Sequence, residues 1–299
     1  MERIRLKFLG TGNAVPTKLR NHTSIMLTYR NENILVDCGE GTQRQFRYAE
    51  ISPCKITRIL ITHWHGDHIL GLPGLLQTLA MSEYQGTIKV YGPRGTKRMF
   101  AIMESLMLGI KVKIEVNEVE SGIFFDGGGF ALESQQMEHG IPCNAYSFIL
   151  KDKRRLDKKK LKKLKLPNSS LLKELQQGRD IIFNGKKIKA KDVSYIEKGK
   201  KIAFVLDSAL NPRAYSIAKN ADLLVSEASF SSAEKEQARE YRHLTAQEAA
   251  QIAKKAGAKK LVLTHLSQRY EHDPKIILNE AKKTFKNSIL VRDLDEIIV

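Results

Sequence analysis

Residues 61–71 read ITHWHGDHILG and place three histidines and an aspartate, His63, His65, Asp67 and His68, within six positions. The apolar run RILIT just before them has strand character, so the cluster sits where a strand gives way to a loop. His63 and His65, two residues apart, can converge from one loop, while Asp67 and His68 are offset from them. Four ligands at this spacing crowd one ion, so the pattern predicts two. A catalytic zinc site takes nitrogen, sulfur or carboxylate ligands and keeps a position open. Two metals about 4 Å apart can hold both the attacking and the leaving oxygen of a displacement at phosphorus.

Two ions need more ligands than one loop supplies. His139 in QQMEHGIPC, Asp207 in AFVLDSA and His265 in LVLTHLS each follow a strand-like run. Any one alone would read as a structural residue; together with the local cluster they read as a second half of a metal site, with Asp207 suited to bridge. His22 and His272 fit no ligand role.

The rest of the chain is consistent with an α/β protein. Strand-like runs recur from IRLKFLG to SILVR, and helical patterns occupy 69–83, 94–108, 244–256 and 274–286. Helices cluster after strands in both halves with strand meanders between them, which predicts a two-sheet α/β sandwich rather than a doubly wound sheet. In 299 residues no stretch approaches the ~20 apolar residues of a membrane span, and the N-terminus reads as a first strand, so a soluble, cytoplasmic protein with no membrane partner is expected. The three cysteines, Cys38, Cys54 and Cys143, form no CxxC pair and suit a reducing compartment.

The formal net charge is +17, which points to a polyanionic partner. Residues 151–165, KDKRRLDKKKLKKLK, hold ten Lys or Arg and two Asp, nearly half of that charge. Leu156, Leu161, Leu164 and Leu166 lie at roughly helical spacing, and LLKELQQGRD follows. Residues 151–190 are therefore expected to be a basic insertion in a single domain spanning 1–299.

HWHGDH resembles the HxHxDH signature of the metallo-β-lactamase superfamily, and LVDCGEG (35–41) is similar to its upstream Asp motif. GTGNAVPTKLRNHTSIML, LVDCGEGTQRQ, THWHGDHILGLPGLLQTL and THLSQRY together resemble the ribonuclease Z family, endonucleases that remove 3′ trailers from precursor tRNA. The likeness runs over nearly the full length; GLPGLL and SQRY are its most specific elements. It implies an αββα sandwich of two mixed sheets flanked by helices, with a protruding basic arm. It also implies one zinc on His63, His65 and His139 and another on Asp67, His68 and His265, bridged by Asp207, with manganese or iron able to stand in. Asp37 takes a supporting role off the metals. His243, in YRHLTAQEAA, matches the catalytic histidine as proton donor, with Glu227 orienting it, and Asp67 orients the attacking water and accepts its proton.

The family's tRNA-gripping arm falls where 151–190 stand, which makes Arg154, Arg155, Lys158 and Lys159 RNA contacts through phosphate neutralisation. PTKLRN (16–21) looks like a loop that senses nucleotides beside the cut, through Lys18, Arg20 and Asn21; Arg269 in SQRY is added to the RNA contacts. The resemblance further implies a homodimer in which one arm serves the partner's site. The chain departs from the family in having Leu206-Asp207-Ser208 in place of a GDT run, and in an arm that is lysine-rich rather than glycine-rich. Two other functions keep parts of this pattern: a two-metal hydrolase of a small phosphodiester or ester, and a non-catalytic RNA-binding protein with a degenerate site. The complete ligand set argues against the second, and the +8 segment against the first.

Overall fold

The computed structural model describes residues 3–107 and 111–299; residue 108 of the 94–108 helical pattern and residues 1–2 of the expected domain lie outside these. Among the described residues two seven-stranded sheets form. The first runs, in spatial order, Glu296–Ile298, Arg5–Gly10, Ser24–Tyr29, Glu32–Val36, Arg58–Leu60, Thr87–Gly92 and Lys113–Glu118. Its first four strands pair antiparallel and the rest parallel. The second runs Ser288–Leu290, Leu261–Thr264, Leu223–Glu227, Lys200–Val205, Asn144–Leu150, Phe130–Gln136 and Gly122–Gly127. Its first four strands pair parallel. LVLT and LLVSE are buried along their whole length, as parallel strands covered on both faces require.

The sheets meet through apolar faces: the Tyr29 ring packs edge-on to Phe148 at 5.6 Å, and Tyr146 Oη donates to the Ile61 carbonyl at 2.7 Å. Helices cover the outer faces. Leu72–Met81 and Thr96–Ser105 bury Leu75, Leu76, Leu79 and Phe100 against the first sheet. Ala246–Ala256 and Lys275–Thr284 bury an alanine-rich stripe and Ile277 against the second. The expected helices are thus present, with shorter bounds. One differs at its start: Gly66–Ile69 forms a separate helical turn, so Asp67 and His68 stand on a turn of helix rather than in the loop that carries His63 and His65.

Residues 126–131 and 149–200 form a second compact unit with a core of its own. Lys153–Leu156 pairs antiparallel with Ser194–Glu197, and Ile181–Phe183 with Lys186–Ile188. Helices Lys158–Lys163 and Ser170–Gln176 lie between; Asp157 caps the first by accepting from the Lys159 and Lys160 amides. Leu156, Leu161, Leu166, Leu171 and Leu172 pack around buried Leu175, Ile181 and Val193. The leucine spacing of the basic segment therefore serves an internal core. The unit extends past the expected 151–190 because its first strand needs Ser194–Glu197 as partner. At Gly199 any Cβ would lie 1.8 Å from the Leu150 carbonyl oxygen, so glycine is required where the entering and leaving chains touch.

Candidate metal centre

The ligand candidates stand just beyond the C-terminal ends of strands, where open α/β sheets place their sites. Asp37 follows Val36, Thr62 to His65 follow Leu60, His139 follows Gln136, Asp207 follows Val205, and His265 follows Thr264. Asp37, Asp207 and His265 all have left-handed backbones, with φ of 57°, 52° and 56°. Such conformations are uncommon outside glycine and cluster at functional sites. The Asp37 and HxHxDH loops are stitched together: Cys38 N donates to His68 O at 2.8 Å and Gly71 N to Cys38 O at 2.9 Å. A Cβ at Gly71 would sit 2.0 Å from Gly39 O, and one at Gly39 would sit 2.3 Å from Asp67 O. The glycines of LVDCGEG and of ILGLPG are what let these loops approach so closely.

Two groups of ligand atoms result, each within 4.8 Å of one another: His63, His65, His139 and Asp207, and Asp67, His68, Asp207 and His265. Within the first, His65 Nδ1 lies 2.9 Å from His63 Nε2 and 3.1 Å from His139 Nε2. Within the second, His68 Nε2 lies 3.2 Å from His265 Nε2, and Asp67 Oδ2 lies 3.3 Å from both. Asp207 belongs to both groups; its Oδ2 is 3.6 Å from His63 Nε2 and 3.2 Å from His68 Nε2, and its Oδ1 is 3.1 Å from His265 Nε2.

On His68, His265, His139 and His63 the outer ring nitrogen is held by the surrounding protein, which fixes the tautomer and aims the inner nitrogen. His68 Nδ1 meets Asp37 Oδ2 at 2.7 Å, His265 Nδ1 meets Ser229 Oγ at 2.9 Å, His139 Nδ1 meets Arg242 O at 3.2 Å, and His63 Nδ1 meets Thr62 Oγ1 at 3.1 Å. Asp37 is spent on this framework: it also accepts from the Thr62 amide and hydroxyl, each at 2.7 Å, and lies outside both ligand groups. Thr62, Arg242 and Ser229 have no signal in the sequence beyond their nearness to candidate residues.

The donor set fits divalent cations. Burial, together with neighbouring imidazoles, pushes His63, His65 and His139 below the usual histidine range, so they present neutral nitrogens. Asp37, Asp207 and Glu227 are at most 2% exposed, and Asp67 lies beside them. So many buried carboxylates need compensating positive charge. His68, despite its burial, is driven well above the usual range by Asp207, Asp37 and Asp67, which marks where cationic charge is wanted. Asp207 Oδ1 is buried with no hydrogen-bond partner among the described residues, a costly state that a bound cation relieves.

His243 stands at the edge of the centre, on the loop capped by Thr245, whose side chain and Glu248 form a capping box for Ala246–Ala256. Its Nδ1 lies 3.0 Å from Glu227 Oε2 and 4.0 Å from Asp207 Oδ2. Burial lowers its pKa, but the Glu227 and Asp207 charges and the Glu227 hydrogen bond outweigh this, and it is raised to about 9. Asp207, Glu227, His243 and His265 also form a close group. Glu227, however, already accepts from Ser208 N, Ser229 Oγ and His243, so its oxygens are occupied.

The RNA-contact candidates divide. Lys18, Lys158 and Lys159 are exposed. Arg154 Nη1 donates to Ser194 Oγ and Arg155 Nε pairs with Glu197 within the second unit's hairpin. Arg269 pairs with Glu234 and Gln237 and lies over the Phe230 ring. Arg20 is 6% exposed, and its guanidinium donates to Thr11 Oγ1 at 2.6 Å and Val291 O at 2.7 Å. Asn21 is half-buried; its amide donates to Asp293 Oδ2 and its side chain, at the surface, to Glu40 O, each at 2.6 Å. Arg20→Ala is therefore expected to destabilise the fold by about 1–3 kcal/mol, the cost of stranding buried acceptors, while Lys18→Ala leaves stability unchanged; urea unfolding of the two variants checks this.

Residues 4–184 match the family model described as Anti-Pycsar protein Apyc1. A ribonuclease Z from Listeria welshimeri is 39% identical over 97% of this chain and 98% of its own. Human tRNase Z, short form, superposes with a TM-score of 0.70 at 26% identity, covering 98% of each chain. The metallo-beta-lactamase fold protein YhfI from Bacillus subtilis superposes over the whole of both chains with a TM-score of 0.72 at 19% identity, which speaks to the fold. Asp207, His243 and His265 lie beyond residue 184, in the part of the chain that only the full-length relatives reach. With its metallo-β-lactamase fold, the chain shares residues 4–184 with the Apyc1 family and, over its whole length, belongs to the ribonuclease Z family.

Proposed function

We propose that this protein is an endoribonuclease that removes the 3′ trailer from precursor tRNA, leaving a 3′-hydroxyl on the tRNA and a 5′-phosphate on the trailer. The observation that carries the reading is the sharing of Asp207 between two ligand groups, with the His243–Glu227 pair beside them; full-length likeness to proteins named ribonuclease Z supports the substrate. His63, His65, His139 and Asp207 would hold one zinc, and Asp67, His68, His265 and Asp207 the other. Bound there, the ions supply Lewis acidity at phosphorus and an activated water. Asp67, the most exposed carboxylate of the centre, orients that water and accepts its proton. His243, anchored through Nδ1, has no protein partner at Nε2 among the described residues and delivers a proton to the departing ribose oxygen. The exposed lysines of 151–200 bind tRNA phosphates.

The reading includes a homodimer with each arm serving its partner, supported by the family resemblance, and a cytoplasmic location, supported by three unpaired cysteines; no described helix is long and apolar enough to cross a membrane. Light scattering of the purified protein tests the dimer. Cleavage of a tRNA bearing a 3′ trailer, run beside a chromogenic phosphodiester, tests the function: the trailer is released at a discrete position, whereas cleavage of the small diester alone defeats the proposal. Metal analysis of protein purified without added metal is expected to approach two equivalents per chain, and one equivalent that stays fixed on zinc titration defeats the two-ion centre.

A further inference from the structure

Ser229 lies in neither ligand group, yet its hydroxyl touches the machinery on two sides. Oγ is 2.7 Å from Glu227 Oε2 and 2.9 Å from His265 Nδ1, and all three residues are buried. Chemistry fixes the direction of both bonds. An ionised carboxylate only accepts, so the single hydroxyl proton goes to Glu227. The oxygen's lone pairs then face His265 Nδ1, which must carry its proton there. That tautomer leaves the lone pair of His265 on Nε2, the atom 3.1 Å from Asp207 Oδ1 and 3.3 Å from Asp67 Oδ2. On the other side, Glu227 takes the Ser208 amide at 2.7 Å on Oε1 and His243 Nδ1 at 3.0 Å on Oε2. The hydrogen bonds therefore form one ordered chain, His265 to Ser229 to Glu227, with His243 donating from the far end.

We infer that Ser229 is a positioning residue which couples the two halves of the centre: it fixes the metal-binding tautomer of His265 and, through Glu227, the orientation of His243. The inference rests on the proposed function for the role of His243, but not for that of His265. The His265 carbonyl, 3.1 Å from the same hydroxyl, is a second acceptor for that proton, but the Glu227 carboxylate at 2.7 Å is nearer and stronger, and with either acceptor the oxygen's lone pairs face His265 Nδ1.

The test uses Ser229→Ala and Ser229→Thr in the full chain, with zinc alone as the probe in a chelator competition. Loss of an outer-sphere partner of a metal-binding histidine typically costs about 10–100-fold in affinity. In Ser229→Ala one of the two zinc affinities is expected to fall by that factor while the other, on His63, His65 and His139, is kept; Ser229→Thr, which retains the hydroxyl, restores it. With zinc saturating, Ser229→Ala is further expected to lose more kcat on a trailer-bearing tRNA than on a chromogenic diester, whose leaving group needs no proton. Unchanged affinities, or an equal fall at both sites, overturn the inference, because a merely structural role would loosen the two sites together. A wild-type protein that binds two zinc ions but cuts no tRNA defeats the functional reading instead, and leaves the His265 half to be judged on the zinc data.

Discussion

Replacing His243 with alanine is expected to cut kcat for trailer removal by about 10²–10⁴-fold, the usual contribution of a positioned proton donor, while both metals stay bound. His243 lies outside the two groups built on Asp207 and the HxHxDH loop, and its Nδ1 is committed to Glu227. The size of the loss should follow the leaving group. A ribose 3′ oxygen departs badly without a proton; a nitrophenolate departs readily as an anion, so a chromogenic diester should suffer far less. His65→Ala provides the contrast: it removes a ligand that faces His63 and His139 at 2.9 and 3.1 Å, and should damage both reactions together with metal content. Equal losses on both substrates in His243→Ala would remove it from the donor role, and metal loss would make it a ligand.

Removing the basic unit is expected to abolish tRNA cleavage at ordinary salt while sparing the small diester. The fold dictates how to cut. Deleting 151–180 would take away Lys153–Leu156, strand partner of Ser194–Glu197, and half of the leucine core. Deleting 151–198 and joining Leu150 to Gly199 is cleaner, because their backbones already touch. Residues 151–200 hold 18 Lys or Arg against six Asp or Glu, and every proposed metal ligand belongs to the other unit. A gentler variant replaces the exposed Lys158, Lys159, Lys162 and Lys163 with glutamine. Loss of four phosphate contacts should flatten the slope of log affinity on log salt by roughly 3–4 and weaken tRNA binding by about 10²–10³-fold near physiological salt. Filter binding across a salt series measures both; an unchanged slope places the tRNA contact elsewhere on the chain.

The metal loop and its helices were legible in the sequence because their determinants are local. HxHxDH carries four ligands in six residues, the T-A-Q-E run makes its own capping box, and Gly257 ends that helix in a left-handed turn. Apolar runs such as LVLT and LLVSE announce buried strands through composition alone. Asp207 and His265 could be suspected for the same reason, since each follows a run of this kind.

Tertiary structure decided what depends on distant partners. PTKLRN looks like a nucleotide-sensing loop in sequence, yet Arg20 turns inward because Thr11 and Val291 offer acceptors where the C-terminal segment returns, 271 positions on in the case of Val291. Leucine spacing in 151–166 shows an amphipathic pattern but not that residues 126–131 and 194–197 complete its unit. The pairing of His265 with Asp67 spans 198 positions, and Ser229 joins the strand-end carboxylate of Glu227 to His265, which lies 36 residues beyond Ser229. Residue types and short-range spacing state which groups can bind a metal. Which nitrogen faces inward, which hydroxyl holds the other one, and which arginine is spent inside the fold follow only when the packed sheets bring those residues together, because a hydrogen bond depends on separation in space and not on separation along the chain.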